Sequence, residues 1–90
     1  MSQNNLDLES QIRGFLSENI LFDGEGIVYN NDASLLEAGV MDSLGVMELV
    51  TFVSKSYGII VPLEDISPVN FDSVNRLAAY VRRRRGSGPP

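Results

Sequence analysis

The sequence predicts an all-α fold: a small antiparallel four-helix bundle, with three main helices plus one short helix and a long first loop. Three observations carry that expectation. Three separate stretches repeat their apolar residues at three- and four-residue intervals, the signature of a helix with one buried face. No two stretches show the matched period-two pattern that a pair of strands requires. Ninety residues without a cysteine leave room for one domain and one modest core, with no disulfide to help it.

The first helix is read over Leu6 to Leu21, where Leu8, Ile12, Phe15, Leu16 and Ile20 share a face and Asn4 and Asn5 are candidate caps. Gly14 lowers the local propensity without breaking the pattern. Glu9, Arg13 and Glu18 point the other way and read as a solvated face without function. Asp23-Gly24-Glu25-Gly26 ends the periodicity. The connection onward to Ser43 runs for about twenty residues, unusual in a compact domain. Ile27, Val28 and Tyr29 admit a short strand, but with no partner strand they read better as a pin holding the loop to the bundle. Asp32 is expected to cap a single turn through Ser34, Leu35 and Leu36 that Gly39 ends in a left-handed conformation. That turn would fold the loop back so that Val40 and Met41 pack while Asp42-Ser43 stays exposed. A metal site at Asp32 lacks recognisable ligand spacing, and no metal is expected.

The central helix is placed from Ser43 to Tyr57, with Gly58 as its stop. Either Asp42 or Ser43 can supply the capping oxygen. A serine hydroxyl at a helix N-terminus beside solvent suits an attached anion, because unpaired N–H groups and the positive end of the helix dipole converge there. Leu49, Phe52, Val53 and Tyr57 are assigned to the core side, and Leu44, Met47, Glu48 and Thr51 to the outward side. Ile59-Ile60-Val61, followed by Pro62, reads as an extended connector whose alternate residues plug the core. Glu64, Asp65 and Ile66 fit one short helical turn stopped by Ser67-Pro68. Asp72 is the candidate N-cap of a last helix with Val74, Leu77, Ala78 and Val81 on its inner face and Tyr80 at its edge. Arg82 to Arg85 would complement that helix's dipole and aid solubility. A single domain over 1–85 and a flexible tail over 86–90 complete the organisation.

Composition excludes more than it proposes. Without Cys or His, a Ser–His or Cys–His nucleophile pair is impossible and the commonest general base is missing, so the chain is not read as an enzyme. The 12 acidic residues face only Arg13, Lys55 and Arg76 outside the terminal arginine run, giving an acidic body inside a net charge of −5. Such a body repels nucleic acid and favours partners with basic docking surfaces. No apolar run reaches the length of a membrane span, and the polar start Met1 to Asn5 is no signal peptide, so a cytoplasmic monomer is expected.

The chain also resembles the acyl carrier protein superfamily. The likeness is carried by the Asp42-Ser43-Leu44 triplet, by Leu35-Leu36-Glu37-Ala38-Gly39 before it, and by Glu48-Leu49 within the helix. Tyr57-Gly58-Ile59 and Val61-Pro62-Leu63-Glu64-Asp65 extend it, so that it runs from about Leu6 to Val81. A lone Asp-Ser-Leu would be an ordinary helix cap; the whole pattern reverses that reading. The resemblance implies that a separate phosphopantetheinyl transferase, using magnesium, attaches phosphopantetheine from coenzyme A covalently to Ser43 as a phosphodiester. The arm's terminal thiol would then hold a thioester, which explains how a chain without Cys or His serves thioester chemistry. Asp42 and Leu44 would help the transferase recognise the site. The face of Leu44, Met47, Glu48 and Thr51 would dock acyl- or aminoacyl-loading enzymes and acyltransferases.

The implied function is an acyl carrier protein of fatty-acid, polyketide or specialised lipid biosynthesis. Two departures qualify it. Ser54 and Lys55 stand where fatty-acid carriers have acidic residues, and Gly39-Val40-Met41-Asp42 replaces the glycine-rich approach of peptidyl carriers. A freestanding aminoacyl or peptidyl carrier is therefore an alternative. A non-carrier adaptor that binds through Leu44 and Met47, with Ser43 as a mere cap, is another.

Overall fold

In the computed structural model, residues 7–19 and 29–86 are described; the proposed caps Asn4 and Asn5 and the pin Ile27-Val28 lie outside them. Four helices follow one another: α1 (Leu8–Asn19), α2 (Ser43–Tyr57), α3 (Pro68–Phe71) and α4 (Val74–Gly86), with a 3₁₀ turn at Leu63–Asp65. No strand occurs among the described residues, so the all-helical expectation holds.

Contacts between helix ends fix the topology. Glu9, in the first turn of α1, pairs with Arg82 near the end of α4, and Gln11 of α1 accepts a hydrogen bond from Tyr57, the last residue of α2. Helix α1 is therefore antiparallel to both. The core lies between them, with Ile12 and Leu16 from α1, Leu49 and Val53 from α2, and Val74, Leu77, Ala78 and Val81 from α4. Each group repeats at three- and four-residue spacing, as a single buried helix face requires. Phe71 from α3 and Leu35 and Val40 from the long connection close the remaining sides.

Several local assignments need correction. Helix α1 is capped by Asp7, whose Oδ1 accepts the Ser10 N–H at 2.8 Å. Glu9 and Arg13 are engaged: Glu9 takes both arms of the Arg82 guanidinium, and Arg13 donates to Asn31 Oδ1 at 2.8 Å while lying over the Tyr29 ring. The turn before α2 is capped by Ser34, not Asp32, because Ser34 Oγ accepts the Glu37 N–H, whereas Asp32 accepts from the side-chain amide of Asn75. Gly39 ends the turn with φ 77°, as expected.

Pro68 does not stop a helix; it opens α3. The first turn of a helix has no use for the N–H that proline lacks, and the ring's fixed φ suits that position. Asp72 likewise does not cap α4. Ser73 does, accepting the Arg76 N–H at 3.0 Å. Tyr80 is fully packed inside against Phe71 instead of sitting at an edge.

The connector after α2 matches its reading. Ile59 is buried, Ile60 exposed and Val61 half-buried, the alternation of an extended chain laid on a core. Gly58, with φ 69°, sends its N–H to the Ser54 carbonyl and turns the chain out of α2.

Candidate functional site

The long connection delivers the start of α2 to the surface with little freedom. Val40 and Met41 are buried, and both send their N–H groups back to the Leu35 carbonyl. The next two residues, Asp42 and Ser43, emerge into solvent. Asp42 has extended backbone, and its Oδ1 accepts the Gly45 N–H at 3.1 Å, so it is the N-cap. Ser43 is then the first residue of α2, and among the described residues its hydroxyl makes no hydrogen bond. The division of labour settles which of the pair caps: Asp42 satisfies the helix end, and the Ser43 hydroxyl is left available at the positive end of the dipole.

Two concavities flank Ser43. A cleft of about 370 Å³ adjoins it directly, walled by Val46 and Met47 of α2 on one side and by Ile66, Ser67 and Pro68 on the other, with Leu36 and Asp72 also lining it. The second is a groove of about 610 Å³ along the outer side of α2, lined by Leu44, Met47, Glu48 and Thr51 together with Phe15 and Phe52. The four residues assigned to the outward face thus line one surface. Leu44 is 72% exposed. Met47, common to both concavities, forms the ridge between them, and its flexible thioether chain can adjust to either side.

Phe52 is not the core residue its spacing implied. It is half-buried, its ring stacked on Phe15 at 4.4 Å and edge-on to Tyr57 at 5.7 Å, where it forms part of the groove's lining. Lys55 lines the same groove toward the end of α2. The groove is therefore acidic at Glu48 and basic at Lys55.

Sequence reasoning missed the cleft. Val46 was recoverable, since i+3 spacing puts it on the same face as Ser43. Ile66, Pro68 and Asp72 come from another segment and carry no local signal for this role. Asp72 is buried, its Oδ2 accepting from the Ser34 hydroxyl at 2.5 Å and its Oδ1 from the Leu36 N–H at 2.9 Å. Among the described residues no three His, Cys, Asp or Glu side chains come together as a metal site, and no helix is long and apolar enough to cross a membrane.

The family whose description is "Phosphopantetheine attachment site" matches residues 10–81. A D-alanyl carrier protein of Lactobacillus delbrueckii subsp. bulgaricus is 27% identical over 78 residues, covering 87% of this chain and 94% of that protein. A probable acyl carrier protein, PigG, of Serratia sp. is 29% identical over 76 residues, covering 84% of this chain and 86% of that protein. No solved structure gives a significant match.

The residues present suit the group. An exposed serine hydroxyl at a capped helix start can accept a phosphodiester, and the adjoining cleft, mostly apolar with Ser67 and Asp72 as polar points, can lodge a chain of amides and methyl groups. With the match spanning most of its length, the chain belongs to the phosphopantetheine attachment site family: it is a carrier that holds the prosthetic group, not itself an enzyme.

Proposed function

We propose that Ser43 is the attachment residue and that the chain presents an acyl or aminoacyl group, as a thioester, to partner enzymes. The observation that carries this is the pairing of a capping Asp42 with a hydroxyl on Ser43 that no other described residue uses. The prosthetic group supplies the thiol on which a thioester forms. This chain's own residues do the rest. Asp42 caps α2 and so fixes the backbone that carries Ser43. The first free amides of α2 face the phosphate-bearing end, and Leu36, Val46, Met47, Ile66 and Pro68 offer the arm a lined cleft.

The outward face of Leu44, Met47, Glu48 and Thr51 would dock the phosphopantetheinyl transferase and the loading and accepting enzymes. Exposed Leu44 supplies an apolar anchor, and Glu48 a charge for basic partner surfaces. Lys55 on the same groove distinguishes this face from a wholly acidic one and favours a specialised acyl or aminoacyl pathway over general fatty-acid synthesis. The names of the relatives, a D-alanyl carrier and an acyl carrier, support both cargo classes.

The test is intact mass. Incubation with coenzyme A and a broad-specificity transferase should add one phosphopantetheine to the wild type and nothing to Ser43→Ala. That variant should stay folded, with a cost below about 1 kcal/mol, because the cap belongs to Asp42. A wild type that several transferases leave unmodified would overturn the assignment and favour an adaptor binding through Leu44 and Met47.

A further inference from the structure

The two walls of the Ser43 cleft are held differently. The α2 wall, Val46 and Met47, belongs to a fifteen-residue helix. The other wall, Ile66-Ser67-Pro68, is an arch between a 3₁₀ turn and a four-residue helix, elements too short to hold a shape alone. Its feet are tied to each other and to α4. The Asn70 side-chain amide donates to the Asp65 carbonyl at 2.9 Å, closing the arch. The Asp65 carboxylate accepts from the Tyr80 hydroxyl at 2.7 Å and from Arg84 at 3.3 Å, and Arg84 also donates to the Tyr80 oxygen and to the Ile60 carbonyl. Arg83 reaches the Asn70 side-chain oxygen, and Arg76 the Pro68 carbonyl.

Tyr80 is buried, and burial raises its hydroxyl above the ordinary tyrosine range, so it remains a donor at neutral pH. For the cleft to widen, Ile66 and Pro68 must shift relative to α4, and that shift breaks the geometry of these ties.

We propose that Asp65, Tyr80 and Arg84, braced by Asn70, are positioning residues that fix the far wall of the Ser43 cleft and so restrict the thioester cargo to short or polar groups. The inference rests on Ser43 carrying the arm and deepens that reading: it names what selects the cargo. With the arm itself lodged in the cleft, a long alkyl chain gains burial energy only by parting the walls. With the arch held, such a chain stays in solvent and is hydrolysed as fast as a short one.

Acetyl- and octanoyl-phosphopantetheine are loaded onto wild type and Tyr80→Phe from the corresponding acyl-coenzyme A, and thioester hydrolysis is followed by mass. Wild type should hydrolyse both at rates within about twofold of each other. In Tyr80→Phe the octanoyl form should persist about fivefold longer than the acetyl form, the weight of one hydrogen bond. Arg84→Gln should shift the ratio the same way. An unchanged ratio in both variants, or a wild type that already shelters octanoyl, overturns the proposal.

Amide exchange on the unloaded protein separates this from failure of the carrier reading. Tyr80→Phe should speed exchange at residues 66–71 while Leu49 and Val53 keep their protection. If loading fails but this local effect appears, the attachment assignment falls and takes the cargo selection with it, although the ties do brace the arch. Uniform acceleration across all helices would make the tyrosine a general stabiliser and sink the idea.

Discussion

Ser34 donates its hydroxyl to the Asp72 carboxylate at 2.5 Å, across 38 positions of sequence. The Leu36 N–H reaches the same carboxylate, and the Leu35 N–H reaches the Asp72 carbonyl at 2.8 Å. One residue between α3 and α4 thus pins the turn that precedes Ser43, which makes a long connection behave as a fixed approach.

Asp72→Asn should therefore cost about 1.5–3 kcal/mol, because charge-assisted bonds are lost and the Ser34 hydroxyl must turn round to accept from the new amide. Ser34→Ala should cost about 1 kcal/mol. Urea unfolding measures both. Equal, negligible losses would show that the approach is held by the packing of Val40 and Met41 alone.

Phe52→Ala should be milder than a core truncation. Half-buried and stacked on Phe15, Phe52 is expected to give up about 2 kcal/mol, against about 3 kcal/mol or more for fully buried Leu49→Ala. A double-mutant cycle with Phe15 should return a coupling of about 0.5–1.5 kcal/mol for the stacked pair. Zero coupling would mean that the rings are neighbours without mutual stabilisation.

Gly14 lies within α1, and a Cβ added there would meet no described residue within 4 Å. Gly14→Ala should raise stability by about 0.5–1 kcal/mol through helix propensity alone. Thermal melts decide it, and a loss would reveal a packing requirement at this position.

The Glu9–Arg82 pair sets a pH dependence. Arg82's hydrogen bonds hold the Glu9 carboxyl below its usual range. Its contribution is therefore complete above the ordinary glutamate value of about 4.3 and fades as pH falls through the lowered folded value. Glu9→Gln should melt below wild type at pH 7, and the gap should close toward pH 3 and shrink in high salt, since Arg82 is more than half exposed. A gap that survives at low pH would point to packing instead of charge.

What was legible in the sequence was local. Apart from Phe52, which is half-buried, and Tyr80, which is buried, the faces of α1, α2 and α4 followed from spacing, because a helix repeats its neighbours every three or four residues. Gly39 and Gly58 announced their turns through a conformation few other residues adopt. Ser43 was visible for the same reason: cap, serine and apolar helix are consecutive. The cleft was not, since Ile66, Pro68 and Asp72 meet Ser43 only once the chain has folded. The caps assigned to Asp32 and Asp72 failed because each carboxylate serves a distant partner, Asn75 in one case and Ser34 in the other. Local propensity cannot rank a neighbour above a residue nearly forty positions away.

The terminal arginines show how a monotonous sequence can hold a specific arrangement. Successive helical residues turn by about 100°, so four in a row point to four sides. Arg82 meets Glu9, Arg83 meets Asn70, Arg84 meets Asp65, and Arg85 lies over the Tyr57 ring. Because every member is identical, the run is self-replacing. One residue inserted before Arg82 would again put an arginine at three of the four positions, and only the link to α1 would be lost. Repetition gives this end of the bundle a tolerance to small changes in length that a mixed sequence making the same contacts would not have.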